Sequence, residues 1–289
     1  MPKLPMFFKK RYLLLLLPIF WLLFAYSEIL SMRKSKATKT AIFEAANITN
    51  FSFHNYSIDG RTMHYTQVGI DTAANVVVLV HGSPGSSDAY MDYLTDKTLS
   101  ANALLIAVDR TGFGYSDFGN AEPSLEAQAL HLKPILEKYS DRNLVLVGHS
   151  YGGPLIVRMV MDYGEWIDAL VMVAPAISPD LEPKEWWRKP LDWWGVRSFL
   201  PPAMRVCNQE IIPLKEELKK MMPLWKQVCA PVTVLQGKED ELVAEGNADF
   251  AKQMLVNSCE VNIEMIPDFG HFILWSKMDL IKSAIKQYF

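Results

Sequence analysis

Six short runs of valine, isoleucine, leucine and alanine constrain this chain more than any other feature. They are Val76–Val80, Ala103–Val108, Leu144–Val147, Ala169–Val173, Val232–Leu235 and Val261–Ile266. Most are apolar throughout rather than alternating. A strand reads that way when both of its faces are covered, as in a parallel sheet flanked by helices. The intervening stretches supply the helices. Ser124–Tyr139 places Leu125, Ala129, Leu132, Ile135 and Leu136 at helical spacing, and Asp279–Phe289 does the same with Leu280, Ala284, Ile285 and Tyr288. Ahead of the six runs, Phe51–Ile58 and Arg61–Val68 alternate apolar and polar residues around Asp59-Gly60, which is a hairpin signal. Eight strands, the first two antiparallel and the rest joined through helices, predict an α/β sheet with an antiparallel edge.

One interval breaks the rhythm. More than fifty residues separate Ala174 from Val232, too many for an ordinary helix–strand connection. They include Trp186, Trp187, Trp193, Trp194 and Trp225. The interval is expected to be a cap inserted at about residues 177–228, in a domain spanning 47–289. Two readings of its tryptophans stay open. Large aromatics usually supply core area, which would fasten the cap to the domain. Alternatively Trp186 and Trp194 line an apolar acyl pocket, or meet a membrane surface.

The start of the chain is of another kind. Residues 1–11 form a basic tail, and Tyr12–Leu30 is almost wholly apolar, with Glu28 its one charge. A spanning helix needs about 20 such residues, so 12–30 is expected to be a transmembrane anchor, followed by a polar linker at 31–46. The rival is a signal peptide cleaved near Ala25-Tyr26-Ser27, which would leave a secreted or periplasmic protein. Arg33, Lys34 and Lys36 follow that site at once and oppose cleavage. The acid-free tail favours the cytoplasm, with the large domain on the non-cytoplasmic side. Net charge is −3, yet residues 1–40 carry eight bases and a single acid, so the body is acidic. An acidic body is a poor partner for nucleic acid, whose affinity comes largely from neutralised phosphates.

The chemistry centres on Gly148-His149-Ser150-Tyr151-Gly152, directly after a buried strand and before a helix. A serine on so tight a turn needs small neighbours two residues to either side, and its hydroxyl then stands above the sheet. Serine needs a base to become a nucleophile. His271 is the candidate, because it follows the last strand, where ligands gather in parallel sheets. A carboxylate must fix the imidazole. Among Glu239, Asp240 and Glu241, the spacing from Gly237 favours Asp240, with Asp180 and Asp268 as fallbacks. The backbone N–H groups of Tyr151 and Ser83 are the candidate oxyanion donors.

These residues, in the order Ser150, Asp240, His271, resemble the α/β-hydrolase family. The resemblance covers about residues 50–289. It includes His81-Gly82-Ser83-Pro84-Gly85, Asp109-Arg110 through Ser116, Gly148–Gly153, Gly237–Asp240 and Gly270-His271-Phe272. It implies an α/β-hydrolase fold with a cap after strand six and a serine hydrolase needing no cofactor or metal. Family members with an aspartate nucleophile, the epoxide hydrolases and haloalkane dehalogenases, are disfavoured by serine at 150. The expected activity is cleavage of small carboxylic esters, lipid-like ones among them. Acylglycerol lipase, proline-releasing aminopeptidase and carbon–carbon bond hydrolase are the alternatives, and a non-catalytic binding protein on the same scaffold is the rival of another class. Cys207, Cys229 and Cys259 fit neither a metal motif nor a disulfide framework, although a Cys207–Cys229 pair is conceivable.

Overall fold

The computed structural model describes residues 23–289 together with Pro18, Phe20 and Trp21. Eight strands form one sheet: β1 (Phe51–Ile58), β2 (Arg61–Val68), β3 (Asn75–Val80), β4 (Ala103–Asp109), β5 (Asn143–His149), β6 (Ala169–Val173), β7 (Val232–Gly237) and β8 (Val261–Ile266). Their order is β1-β2-β4-β3-β5-β6-β7-β8. β2 pairs antiparallel with both β1 and β4, while the other neighbours are parallel, so β2 alone runs against the rest.

Alternate residues of the central strands feed opposite faces. Val76, Val78, Leu104, Ile106, Leu144 and Leu146 join a core with Leu132 and Leu136 of the helix Leu125–Lys138 and Leu155 and Ile156 of the helix Gly152–Tyr163. Val77, Leu79, Leu105, Val145 and Val147 join a second core with Ile281 and Ile285 of the helix Met278–Lys286. Both faces are therefore dry, which is why these strands read as unbroken apolar runs.

The interval after β6 is the expected cap. It holds two single-turn helices, Arg188–Leu191 and Trp194–Arg197, and one long helix, Pro202–Met221. Asn247 ties its entrance to the body, its Oδ1 accepting from the amides of Ile177 at 2.9 Å and Ser178 at 2.8 Å. Cys207 is buried and Cys229 exposed, both with free thiols, so the Cys207–Cys229 bridge is absent.

The N-terminal expectations need revision. Tyr12–Leu17, Ile19 and Leu22 of the expected anchor lie outside the described residues. Among the described residues no helix is long and apolar enough to cross a membrane. Helical residues end at Ala25, Tyr26-Ser27 turns, and Ser27 caps a separate short helix, Glu28–Ser31. The apolar run is thus broken before its expected end, because Ser27 and Glu28 make a favourable helix start. Residues 31–46 are not a loose linker either. Ser35 caps a ten-residue helix, Lys36–Ala45, by accepting from Thr38 N–H at 3.1 Å. Its Phe43 is buried with its ring centroid 4.8 Å from that of Phe51. Its Lys39 is fully buried too, with Nζ 2.7 Å from Asp88 Oδ1 and 2.9 Å from Ser87 Oγ. A buried ammonium is tolerable only with such partners.

Candidate active site

β5 ends at His149, and the helix Gly152–Tyr163 begins three residues later. Ser150, between them, has φ +53°. The left-handed region is costly for a residue with a side chain, and the turn holds it there through backbone bonds on both sides. Its N–H donates to Val173 O at 2.9 Å, and its carbonyl accepts from Gly153 N–H at 2.9 Å. The flanking glycines are obligatory. A Cβ at Gly148 would collide with the Gly152 carbonyl, and one at Gly152 with the Val80 carbonyl.

The other two candidates meet above the carboxyl ends of β7 and β8. His271 Nδ1 lies 2.8 Å from Asp240 Oδ2, and both side chains are buried. Burial opposes ionisation of Asp240, but the bond from His271 and the amides of Val243 and Leu242 outweigh it and lower its pKa. With Nδ1 facing the carboxylate, the hydrogen-bond network assigns the proton to Nδ1 and leaves Nε2 as the acceptor. Glu239 and Glu241 are exposed, as are the fallback acids Asp180 and Asp268. The spacing argument therefore picks the buried member of the acidic turn.

The loop after β3 is held by Arg110, which the sequence reading quoted only as part of the Asp109–Ser116 motif, together with Gln128 and Glu210, which it did not single out. Arg110, fully buried, donates through Nε to His81 O at 2.9 Å and through Nη2 to Gly82 O at 3.0 Å. Its remaining donors reach Gln128 Oε1 at 2.9 Å and both carboxylate oxygens of Glu210 on the cap helix, each at 2.8 Å. Desolvation works against this guanidinium, yet Glu210 more than compensates and its pKa rises. One residue thereby ties the cap to the backbone beside Ser83. The two histidines in glycine turns are neutral supports. Burial, with Arg110 beside His81 and His271 beside His149, pushes each down to about 3. A second histidine–carboxylate pair, His64 with Asp109 at 2.9 Å, is buried between β2 and β4 and lines neither cavity at Ser150.

Ser150 and His271 line two cavities. The larger, of about 670 Å³, also takes in Gly82, Ser83, Leu242, Phe272 and Trp275, together with Glu28, Ile29, Met32, Arg33 and Lys34 of the N-terminal segment. The smaller, of about 130 Å³, lies under the cap and includes Ser83, Tyr151, Glu182, Glu185 and Arg188. Ser83 and Tyr151, the candidate oxyanion donors, thus border it together with Ser150. Trp186 and Trp194 do not: neither lines either cavity, and they are 78% and 69% exposed. This corrects the assignment of both rings to the pocket at Ser150, and also the reading in which they fasten the cap; Trp186 instead lines a neighbouring cavity of about 390 Å³ with Glu182, Glu185 and Arg188. The cap presents both rings outward, and Val206, Leu214, Leu218 and Trp225 make the buried contacts instead. Among the described residues no three His, Cys, Asp or Glu side chains group so as to hold a metal ion.

The eight-stranded, mostly parallel sheet with a cap after β6 is the α/β-hydrolase fold, and residues 75–197 match the family model of that description. A proline iminopeptidase of Lactobacillus acidophilus is 32% identical over 130 residues, 44% of each chain. The chain thus spans less than half the length of that relative. A 2-hydroxy-6-oxononadienedioate/2-hydroxy-6-oxononatrienedioate hydrolase of Paraburkholderia phymatum is 25% identical over 237 residues, covering 75% of this chain and 74% of its own. Among solved structures, a membrane phospholipase A described as a bacterial virulence factor superposes with a TM-score of 0.66 at 16% identity, covering 96% of this chain and 97% of its own. An esterase from Exiguobacterium antarcticum superposes with a TM-score of 0.63 at 17% identity, covering 83% of this chain and 99% of its own. These likenesses establish the fold.

Proposed function

We propose that this chain is a serine hydrolase that cleaves carboxylic esters through Ser150, His271 and Asp240. The observation that carries the reading is Ser150, held at φ +53° on the strand–helix turn, in the same two cavities as an imidazole paired with a buried carboxylate. His271 Nε2 removes the hydroxyl proton as Ser150 Oγ attacks the ester carbonyl. The Ser83 and Tyr151 amides receive the oxyanion. His271 returns the proton to the departing alkoxide, leaving the acyl-serine. Water then attacks that ester with the same base, releasing the acid and restoring Ser150. Asp240 steadies the imidazolium throughout without taking its proton. The cycle needs no cofactor or metal.

Membrane tethering belongs to the same proposal. Its support is the apolar run at the start, the exposure of Phe20, Leu23 and Phe24, and the membrane phospholipase A that matches nearly the whole chain. The catalytic domain would sit on the non-cytoplasmic side. A second reading, release of an amino-terminal proline, draws on the relatives of that name and on Glu182 and Glu185, carboxylates in the small cavity suited to an ammonium group.

The test uses the full chain in detergent. A fluorophosphonate probe should label wild type and not Ser150→Ala, and p-nitrophenyl ester turnover should fall by at least about 10³-fold in that variant. Labelling that survives Ser150→Ala would remove serine from the mechanism. Faster turnover of proline p-nitroanilide than of any ester would favour the second reading. Release from membranes by carbonate alone would refute the tether.

A further inference from the structure

The larger cavity has a wall that comes from outside the catalytic motifs. Ile29 and Met32 of the N-terminal segment line it together with Leu242, Phe272 and Trp275, next to Ser150. Several of these side chains are open to solvent: Ile29 is 76%, Leu242 58% and Phe272 62% exposed. Apolar groups gathered at the rim of a concave site beside a nucleophile are the groups a ligand would cover.

Two of the three charged side chains of the same segment, those of Glu28 and Arg33, are engaged elsewhere, while Lys34 remains at the rim. Glu28 accepts from Ser35 N–H at 2.6 Å and Thr38 Oγ1 at 3.0 Å. Arg33 donates to Gly114 O at 2.8 Å and lies 4.1 Å from the centroid of the Phe118 ring. The segment is also fixed in place. The Met32 carbonyl accepts from Ser86 Oγ at 2.6 Å, Lys34 N–H donates to the Asp88 carboxylate, and Lys34 O accepts from Tyr115 Oη at 3.1 Å. Ser86 and Asp88 belong to the stretch that follows Ser83. The wall and the candidate oxyanion loop are therefore a single tied unit rather than a loose flap over the site.

Size separates the two cavities. At roughly 30 Å³ per water-sized group, the smaller holds about four such groups and the larger about twenty. The smaller is bordered by Glu182, Glu185 and Arg188 as well as by Ile211, Leu214 and Val243.

We infer that Ile29 and Met32, with Leu242, Phe272 and Trp275, form an acyl-chain subsite. The preferred substrates are esters of medium or long aliphatic acids, whose chain runs beneath the N-terminal segment while the cap cavity takes the small alcohol side. This rests on the ester-cleavage reading and deepens it. It also moves chain-length selection from the cap tryptophans to residues before the first strand.

The experiment compares kcat/KM for p-nitrophenyl decanoate and acetate in the full-length wild type, Ile29→Ala and Met32→Ala. The decanoate-to-acetate ratio should exceed one in wild type and drop about five- to tenfold in each variant, as lost methylene contacts predict. The ratio cancels any loss of folded enzyme, and thermal melts of each variant check the fold independently. Ratios within twofold of wild type in both variants, with turnover still dependent on Ser150, would overturn the subsite and leave the hydrolase reading standing. Ester turnover equal in wild type and Ser150→Ala would overturn both.

Discussion

Replacing Glu210 with alanine should destabilise the protein far more than any exposed carboxylate would. Arg110 and Glu210 are both completely buried and meet through two contacts of 2.8 Å. Alanine leaves a guanidinium in the core facing the neutral acceptors His81 O, Gly82 O and Gln128 Oε1 and the rings of Phe113 and Tyr151, with no carboxylate bonded to it. Breaking one side of a buried pair costs about 3–5 kcal/mol, because the remaining charge has lost its compensation. For a domain of this size each kcal/mol is worth roughly 2 °C in Tm, so Glu210→Ala should melt about 6–10 °C lower. The matched replacement Arg110→Met with Glu210→Leu should recover only part of that loss, because it removes the unpaired charge but leaves the buried His81 O and Gln128 Oε1 without their donor. Circular dichroism melts of wild type, Glu210→Ala and the double replacement at one pH make the comparison. A fall of less than about 2 °C in Glu210→Ala would refute the argument, because Arg110 would then have to be hydrated rather than held by the cap.

Two further outcomes follow from the site. Asp240→Asn should lower kcat/KM by about 10⁴-fold by favouring the wrong imidazole tautomer, while Glu239→Gln and Glu241→Gln, on exposed carboxylates, stay within about twofold; equal effects from all three would place the acid elsewhere. Burial, reinforced by Glu185, raises the Glu182 carboxyl to about 7, so the stability it contributes is fully present below the ordinary glutamate pKa and is lost as pH rises through about 7. Glu182→Gln should therefore flatten the decline of Tm between pH 5 and 8, and identical slopes in wild type and variant would contradict that assignment.

The parts of this fold that were legible are those in which a local pattern states a global condition. Unbroken runs such as Val76–Val80 announce burial on both faces, and the cores on either side of β3 supply it. Gly148 and Gly152 announce a turn that only glycine permits, and the backbone carbonyls that would meet a Cβ explain them. Asp240 was legible among three acids because its distance from Gly237 decides which carboxylate turns inward. What escaped depends on partners far away in the chain. Lys36–Ala45 reads as a polar linker because its buried Lys39 becomes acceptable only beside Asp88, 49 residues later. Arg110 and Glu210 are 100 residues apart, and no local pattern joins them. The cap tryptophans were visible as aromatics, but the side they face is set by how Pro202–Met221 lies on the domain.

The bonds from Met32 and Lys34 to Ser86 and Asp88 also bear on where this chain can be cut. Hydropathy suggests trimming at the polar stretch before residue 47 to obtain a soluble catalytic fragment. Such a fragment would strip Asp88 of its buried lysine, remove Ile29 and Met32 from beside Ser150, and open the larger cavity to bulk water on that side. It would keep Ser150, Asp240 and His271 yet lack the wall that Ile29 and Met32 form beside them. The chain ahead of Ser27 is itself fastened to the cap, where Trp21 Nε1 donates to Phe199 O at 3.2 Å, so a pull from that side would be felt first at the cap.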